Sequence, residues 1–156
     1  MSDTTTGATA PPPAIACDMT EAPDTAEERI AEYDRLFTRA LAGRDRTGSG
    51  VRLRFRAEDG IEAWVRDLAA REKACCPFYD FDVSTADGEV SWDIGLIGGV
   101  TDDPHTARTL LDTYYHAPDY AAEGIPGMTK WLAGNGFAVT TTDSGLLMQF
   151  EPPAHG

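Results

Sequence analysis

Cysteine is scarce in this chain, with three in 156 residues, and so is positive charge: 13 Lys and Arg stand against 26 Asp and Glu, a formal net charge of −13. An odd trio of cysteines in a chain without secretory features does not make a disulfide framework, so reduced thiols are the expectation. The shortage of basic residues argues against a nucleic-acid groove, whose footprint is a positive patch, and an acidic surface repels phosphate backbones and anionic membranes alike. No stretch approaches the roughly 18 apolar residues of a membrane span. The opening MSDTTTGATAPPPAIACDMTEAPD lacks the basic cluster and apolar core of a secretory signal, so a cytoplasmic location is expected. Gly-x-Ser-x-Gly and HExxH are also missing. The glycines of GLIGGV and AGNGF do not follow a strand and open a helix at phosphate-loop spacing, which argues against nucleotide binding.

What is present is enough apolar residue, 42%, for one packed domain. Residues 1–24, rich in Thr, Ala and Pro, read as a disordered tail, with Cys17 incidental to it. A single domain then runs over 25–151, and 152–156 form a second tail. Thr25 and Glu28 make a capping box for a helix over 26–42, with Ile30, Tyr33, Phe37, Ala40 and Leu41 on one face and Gly43 as its C-terminal cap. GRDRTGSG reads as a loop. VRLRFRA alternates strictly, placing Val51, Leu53 and Phe55 inward and Arg52, Arg54 and Arg56 outward. Such a row of arginines pairs with acids on a neighbouring strand, and Asp82 and Asp93 are available.

Asp59 and Glu62 form a second capping-box pattern before a helix that Pro77 stops near Cys76. Strands over 78–86 and 89–95 flank the hairpin signal Asp87–Gly88. Asp103 and Pro104 open a third helix, about 104–116. APDYAAEGIPG reads as a loop, MTKWLAGNGF as a short helix, and FAVTTT with LLMQF as a second hairpin. The fold class is α+β, a mostly antiparallel sheet with helices packed on one face.

Two of the three cysteines are adjacent, Cys75 and Cys76, at the end of the second helix. Advancing about 100° per residue from Ile61 puts Val65 and Leu68 in its buried stripe. Glu72 falls inside that stripe, and Cys75 and Cys76 fall on either side of it, about 100° apart. A carboxylate in apolar surroundings must find a partner or take up a proton. Three readings stay open. Glu72, Cys75 and Cys76, with His105 or His116 completing the set, offer oxygen, sulfur and nitrogen to a soft metal or metalloid such as mercury, copper(I), zinc or trivalent arsenic. Alternatively the thiols do redox chemistry, although a helix C-terminus and a nearby carboxylate both oppose thiolate formation. Or the cysteines are small apolar fillers and Glu72 pairs with an arginine. A pocket lined by Trp64, Tyr79, Phe81, Trp92 and Tyr114 would instead let Glu72 serve as the catalytic acid or base on a small substrate. At the end of the third helix, His116 reads as a C-terminal cap, with Asp112 or Asp119 within reach to orient it.

The stretch LAAREKACCPFYDFDV, followed by GEVSWDIG, resembles a motif of small bacterial proteins and regulator-attached domains: a helix ending in E-x-x-CCPF, then an aromatic strand and a hairpin. Some are similar to extensions of mercury-resistance-regulator-type proteins. The matching residues are Glu72, Cys75, Cys76, Pro77, Phe78 and Phe81, within about residues 28–117. The chain departs from the pattern in carrying no DNA-binding segment and in adding residues 118–150. The regulator association implies thiophilic metals. The expectation is therefore a soft-metal or metalloid-binding protein using Glu72, Cys75 and Cys76. Its partner would be a metal ion or small molecule and not nucleic acid or membrane, and a homodimer is allowed. The alternatives are the Glu72 pocket enzyme, or structural cysteines in a protein-interaction domain.

Overall fold

A computed structural model describes residues 15–142 and 145–150. The elements run β1 (Ala16–Asp18), α1 (Ala26–Ala40), β2 (Leu41–Arg46), β3 (Val51–Arg56), α2 (Ile61–Cys75), β4 (Tyr79–Ala86), β5 (Glu89–Leu96), α3 (Pro104–Tyr115), α4 (Ala117–Ala121), α5 (Gly124–Gly134), β6 (Phe137–Thr142) and β7 (Gly145–Phe150). They build two antiparallel sheets, one of order β2-β3-β5-β4 and one of order β1-β7-β6. The α+β class expected from the sequence holds.

The four-stranded sheet follows from alternation. On β3 and β5, Val51 lies opposite Ile94, Leu53 opposite Trp92 and Phe55 opposite Val90, and all six are buried. Helices α1, α2 and α3 cover that face. On the other face Arg52 pairs with Asp93 at 2.7 Å, while Arg54 pairs with Asp45 at 2.7 Å and Glu89 at 3.2 Å. Arg52 and Arg54 thus pair across strands, as expected, though Asp45 and Glu89 serve rather than Asp82, whereas Arg56 pairs with Glu58 two residues on. The β4–β5 hairpin turns at Asp87 and Gly88, both at positive φ (53° and 79°), as a two-residue turn between twisted strands requires.

Four local readings need correction. Leu41–Arg46 is a strand, not a helix end and loop. Its register sets Arg44 opposite Leu53 and Arg46 opposite Val51, so arginines occupy the helix-covered side. There they lie over the Tyr115 ring, 5.0 and 4.0 Å from its centroid, and Arg46 pairs with Asp112. Cation–π contact replaces the apolar period by which a strand is recognised. Second, α2 starts without the Asp59–Glu62 box: Gly60 is the N-cap, at φ +83°, and no side chain caps it. Third, APDYAAEGIPG forms α4 and the start of α5. Its prolines fall in first turns, where a missing N–H costs no helical bond.

Finally, part of the segment read as a tail is ordered. β1 pairs with β7, and Cys17 is buried. The rest of that reading, residues 1–14, and the tail at 152–156 lie outside the described residues, as does the tip of the second hairpin at 143–144.

The β2–β3 turn is held against β5. A Cβ on Gly50 would lie 2.0 Å from the carbonyl oxygen of Ile94, whereas one on Gly48 meets nothing within 4 Å. Gly50→Ala should therefore cost at least about 2 kcal/mol and Gly48→Ala less than about 0.5 kcal/mol, read from paired urea denaturation curves.

Candidate functional site

Glu72 lies on the last turn of α2, facing inward as its position in the stripe predicts. Its partner is an arginine. Arg29 of α1 donates from Nη1 to Glu72 Oε2 at 2.6 Å, and the Tyr114 hydroxyl of α3 donates to Oε1 at 2.5 Å. Arg29 is only 3% exposed, and its Nε and Nη2 donate to Asp24 at 2.6 and 2.7 Å. The guanidinium therefore bridges two carboxylates. Arg71, one residue before Glu72, contacts Asp24 at 3.1 Å and Glu32 at 2.9 and 2.7 Å, and Glu32 also accepts from the Trp64 indole at 2.7 Å. The network runs Glu72–Arg29–Asp24–Arg71–Glu32–Trp64. It ties the segment before α1 to both helices, and Tyr114 extends it to α3.

Electrostatics follow from this wiring. The hydrogen bond from Arg29 holds the Asp24 carboxyl below its ordinary range, and that from Arg71 does the same for Glu32, each against the opposing effect of burial. Burial works against the Arg29 charge, but Asp24 and Glu72 outweigh it and raise its pKa. Burial first, and then the charge of Glu72, pushes Tyr33 and Tyr114 well above the usual phenol range, so both remain donors. The Tyr33 hydroxyl feels the Glu72 charge but meets no partner with hydrogen-bond geometry.

The two cysteines part company. Cys76 is the C-cap of α2, with φ −125° and ψ 70°, and its N–H donates to the Glu72 carbonyl at 2.7 Å. Its sulfur lies 2.08 Å from that of Cys17, a disulfide joining β1 to the end of α2. Cys75 is a buried free thiol 4.0 Å from Arg29 Nη1, and burial pushes its pKa up. Burial outweighs the attraction of Arg29 and makes this sulfur a poor nucleophile or ligand.

These observations overturn the soft-metal or metalloid reading, and with it the metal-ion or small-molecule partner assigned to the cluster. One of the two thiols is consumed by a bridge to Cys17, and both oxygens of Glu72 are taken. Among the described residues no group of three or more His, Cys, Asp and Glu side chains is arranged to hold a metal ion. Reduced thiols and an incidental Cys17 are corrected by the same bridge. No family model, curated protein or solved structure matches the chain.

The remaining site residues scatter. His116 caps the C-terminus of α3, as expected, with Nδ1 3.5 Å from Asp119 and its ring 6.0 Å from that of Trp131. His105 lies in the first turn of α3, beside the β2–β3 turn. Neither joins Glu72. Of the proposed pocket residues, Tyr79 and Tyr114 line a cavity of about 70 Å³ with Arg29, Tyr33, Glu72 and both bridged cysteines. Phe81 and Trp92 pack edge-on to one another at 5.3 Å, Phe81 meets Tyr114 at 5.6 Å, and Trp64 points to Glu32. Sequence reasoning missed Arg29, which stands four residues before Tyr33 on the same buried stripe of α1. A lone base in that stripe was the counterpart of the lone acid in the stripe of α2.

Glu72→Gln leaves the Arg29 guanidinium buried with one carboxylate, and should lower unfolding free energy by about 2–3 kcal/mol in urea denaturation. Folding depresses the Asp24 and Glu32 carboxyls, so their contribution is complete above the ordinary carboxylate range, above about pH 5, and is lost as pH falls through the depressed folded-state values. The urea midpoint difference between wild type and Arg71→Gln should therefore be large at pH 7 and shrink at pH 3.

Proposed function

We propose that the chain is a protein-interaction domain in which Cys17, Cys76 and Glu72 are structural. The observation that carries this reading is the saturation of Glu72. A general base needs a free lone pair beside a substrate proton, and a general acid needs a proton to give. Glu72 instead accepts from Arg29 on one oxygen and from Tyr114 on the other. The cavity beside it, about 70 Å³, is far below the roughly 300 Å³ at which sites for metabolite-sized ligands begin. The resemblance of LAAREKACCPF to domains attached to regulators fits a module that works by contact.

The reading keeps the cytoplasmic location expected from the sequence. The bridged cysteines are 5% and 4% exposed, out of easy reach of the thiols that reduce accessible disulfides there. No helix among the described residues is long and apolar enough to cross a membrane.

The bridge closes a loop of 59 residues, so Cys17→Ser should cost about 4 kcal/mol by the loop-closure relation, measured by thermal and urea unfolding without reductant. Photo-cross-linking from surface positions on α3 and the β2–β3 turn in cells should give discrete heavier adducts, unchanged in pattern for Cys17→Ser below its melting temperature. Adducts that vanish with the disulfide while the fold persists would show that the cysteines are functional rather than structural.

A further inference from the structure

A sheet that does not close has two edges, and β4 is one edge of the order β2-β3-β5-β4. The phase of the hydrogen bonds shows which of its groups are free. The Ala57 amide donates to Gly88 and the Ile97 amide to Phe78, so Asp80, Asp82 and Ser84 turn their backbone groups towards β5. Phe81, Val83 and Thr85 turn theirs outward, and among the described residues nothing bonds to them there. The same alternation sorts the side chains. Phe81 packs on Trp92 and Tyr114 on the helix-covered face, beside a groove of about 330 Å³ that Ala69, Ala70 and Val83 also line. The charges at that groove are engaged: Arg66 pairs with Glu62 at 2.9 Å, and Lys73 donates to the carbonyls of Pro77 and Tyr79 at 2.8 and 2.6 Å. Asp80 and Asp82 lie on the opposite face and are exposed. Among the described residues no base or hydrogen-bond donor reaches either carboxylate. The outward arginines are held elsewhere, Arg52 by Asp93, which lies opposite Asp82, and Arg54 by Asp45 and Glu89.

We propose that the free edge of β4 takes up an extended segment of a partner protein as a further antiparallel strand, with Lys or Arg at alternate positions and apolar residues between them. The proposal rests on the reading of the chain as an interaction domain and adds the mode of contact and the partner's chemistry. An extended segment brings unpaired N–H and C=O groups to match those of Phe81, Val83 and Thr85. A helix keeps its own groups paired and would leave the edge unmatched. Residues of the added strand opposite Phe81 and Val83 share their face and meet the apolar groove. Those opposite Asp80 and Asp82 fall in the non-hydrogen-bonded pairs, where side chains come closest, opposite charges stabilise and like charges repel. The same rule disfavours a second copy of this chain, because β4 paired with β4 would set one Asp80–Asp82 row against another. The terminal stretches 1–14 and 151–156 contain no Lys or Arg and do not fit the pattern.

The test uses the full oxidised chain and fluorescein-labelled nine-residue peptides, monitored by anisotropy and by amide hydrogen exchange. One alternates Val with Lys, and a second replaces Lys by Glu. Two more are the Val–Lys peptide N-methylated at every Val or at every Lys. In the free chain the amides of Val83 and Thr85 should exchange at least about tenfold faster than those of Asp82 and Ser84, which the ladder protects. The Val–Lys peptide should bind saturably and slow exchange at Phe81, Val83 and Thr85. It should lose about tenfold in affinity with Asp82→Lys, whose melting temperature should match wild type. Methylation at Val removes the donors that face β4 and should weaken binding far more than methylation at Lys, whose N–H points away. Wild-type affinity in Asp82→Lys, or equal losses from the two methylations, overturns the proposal. So does protection of the edge amides in the free chain that grows with its concentration, which would make a second copy the occupant. Equal binding of the Glu peptide at those amides overturns the basic partner while leaving the interaction reading standing. If no peptide alters those amides, the edge is not a docking site and the proposal fails, and the interaction reading is then decided by the cross-linking adducts alone.

Discussion

The buried ion pair between Arg29 and Glu72 is the constraint on which the rest of this structure depends. Taking two charges out of water costs several kcal/mol each, and their attraction repays this only when every remaining donor and acceptor is satisfied. Here all three guanidinium nitrogens of Arg29 and both oxygens of Glu72 have partners. Asp24 accepts from Nε and Nη2 of Arg29, and Tyr114 donates to the second oxygen of Glu72. Each partner comes from a different segment, so the pair is satisfied only when the residues before α1, α1 itself, α2 and α3 are all docked. An apolar contact in the same place would tolerate sliding; a bidentate guanidinium does not.

The disulfide acts on the same junction from the other side. β1 has three residues and pairs only with β7, too little to hold a strand by itself. Cys17 fastens it to the end of α2, and Asp24, a few residues on, is fastened by Arg29 and Arg71. The segment from β1 to α1 is thus anchored at both ends, and through β7 it positions the three-stranded sheet. The small cavity lies where these pieces meet, enclosed between a polar side (Arg29, Glu72, Tyr33) and an apolar one (Met128, Leu132, Met148). It is better understood as a seam between three packing units than as a chamber built for a substrate.

Much of this was legible in the residues. The period-2 run Val51–Arg56, the Asp87–Gly88 turn and the Thr25 and Asp103 caps are local signals, and local geometry obeyed them. Glu72 was legible as an anomaly because helix geometry fixes direction from sequence. Its partner was not, because Arg29 lies 43 positions away and pairing across that distance is set by tertiary packing. β2 was hidden for a related reason: its inward positions are arginines that contact Tyr115, a residue about 70 positions later. The Cys17–Cys76 bridge was hidden because composition argued for a tail where the chain has an anchored strand.

The adjacent cysteines invite interpretation as a chelate, and the geometry explains why they are not one. Neighbouring residues on a helix point about 100° apart, so two sulfurs in sequence reach a common ligand only if the backbone between them unwinds. The backbone does leave the helix at Cys76, ahead of Pro77, but the departure carries that sulfur towards β1 while Cys75 stays on the helical turn beside Arg29. Unwinding therefore separates the pair instead of converging it. One sulfur becomes a covalent tether. The other remains a buried thiol whose nearest charge, the guanidinium, is already neutralised by Glu72 and Asp24. Burial wins over that attraction and keeps the proton on Cys75. A single turn of helix thus supplies three chemically different groups to one junction: a carboxyl group bonded to Arg29 and Tyr114, a buried thiol and half of a disulfide.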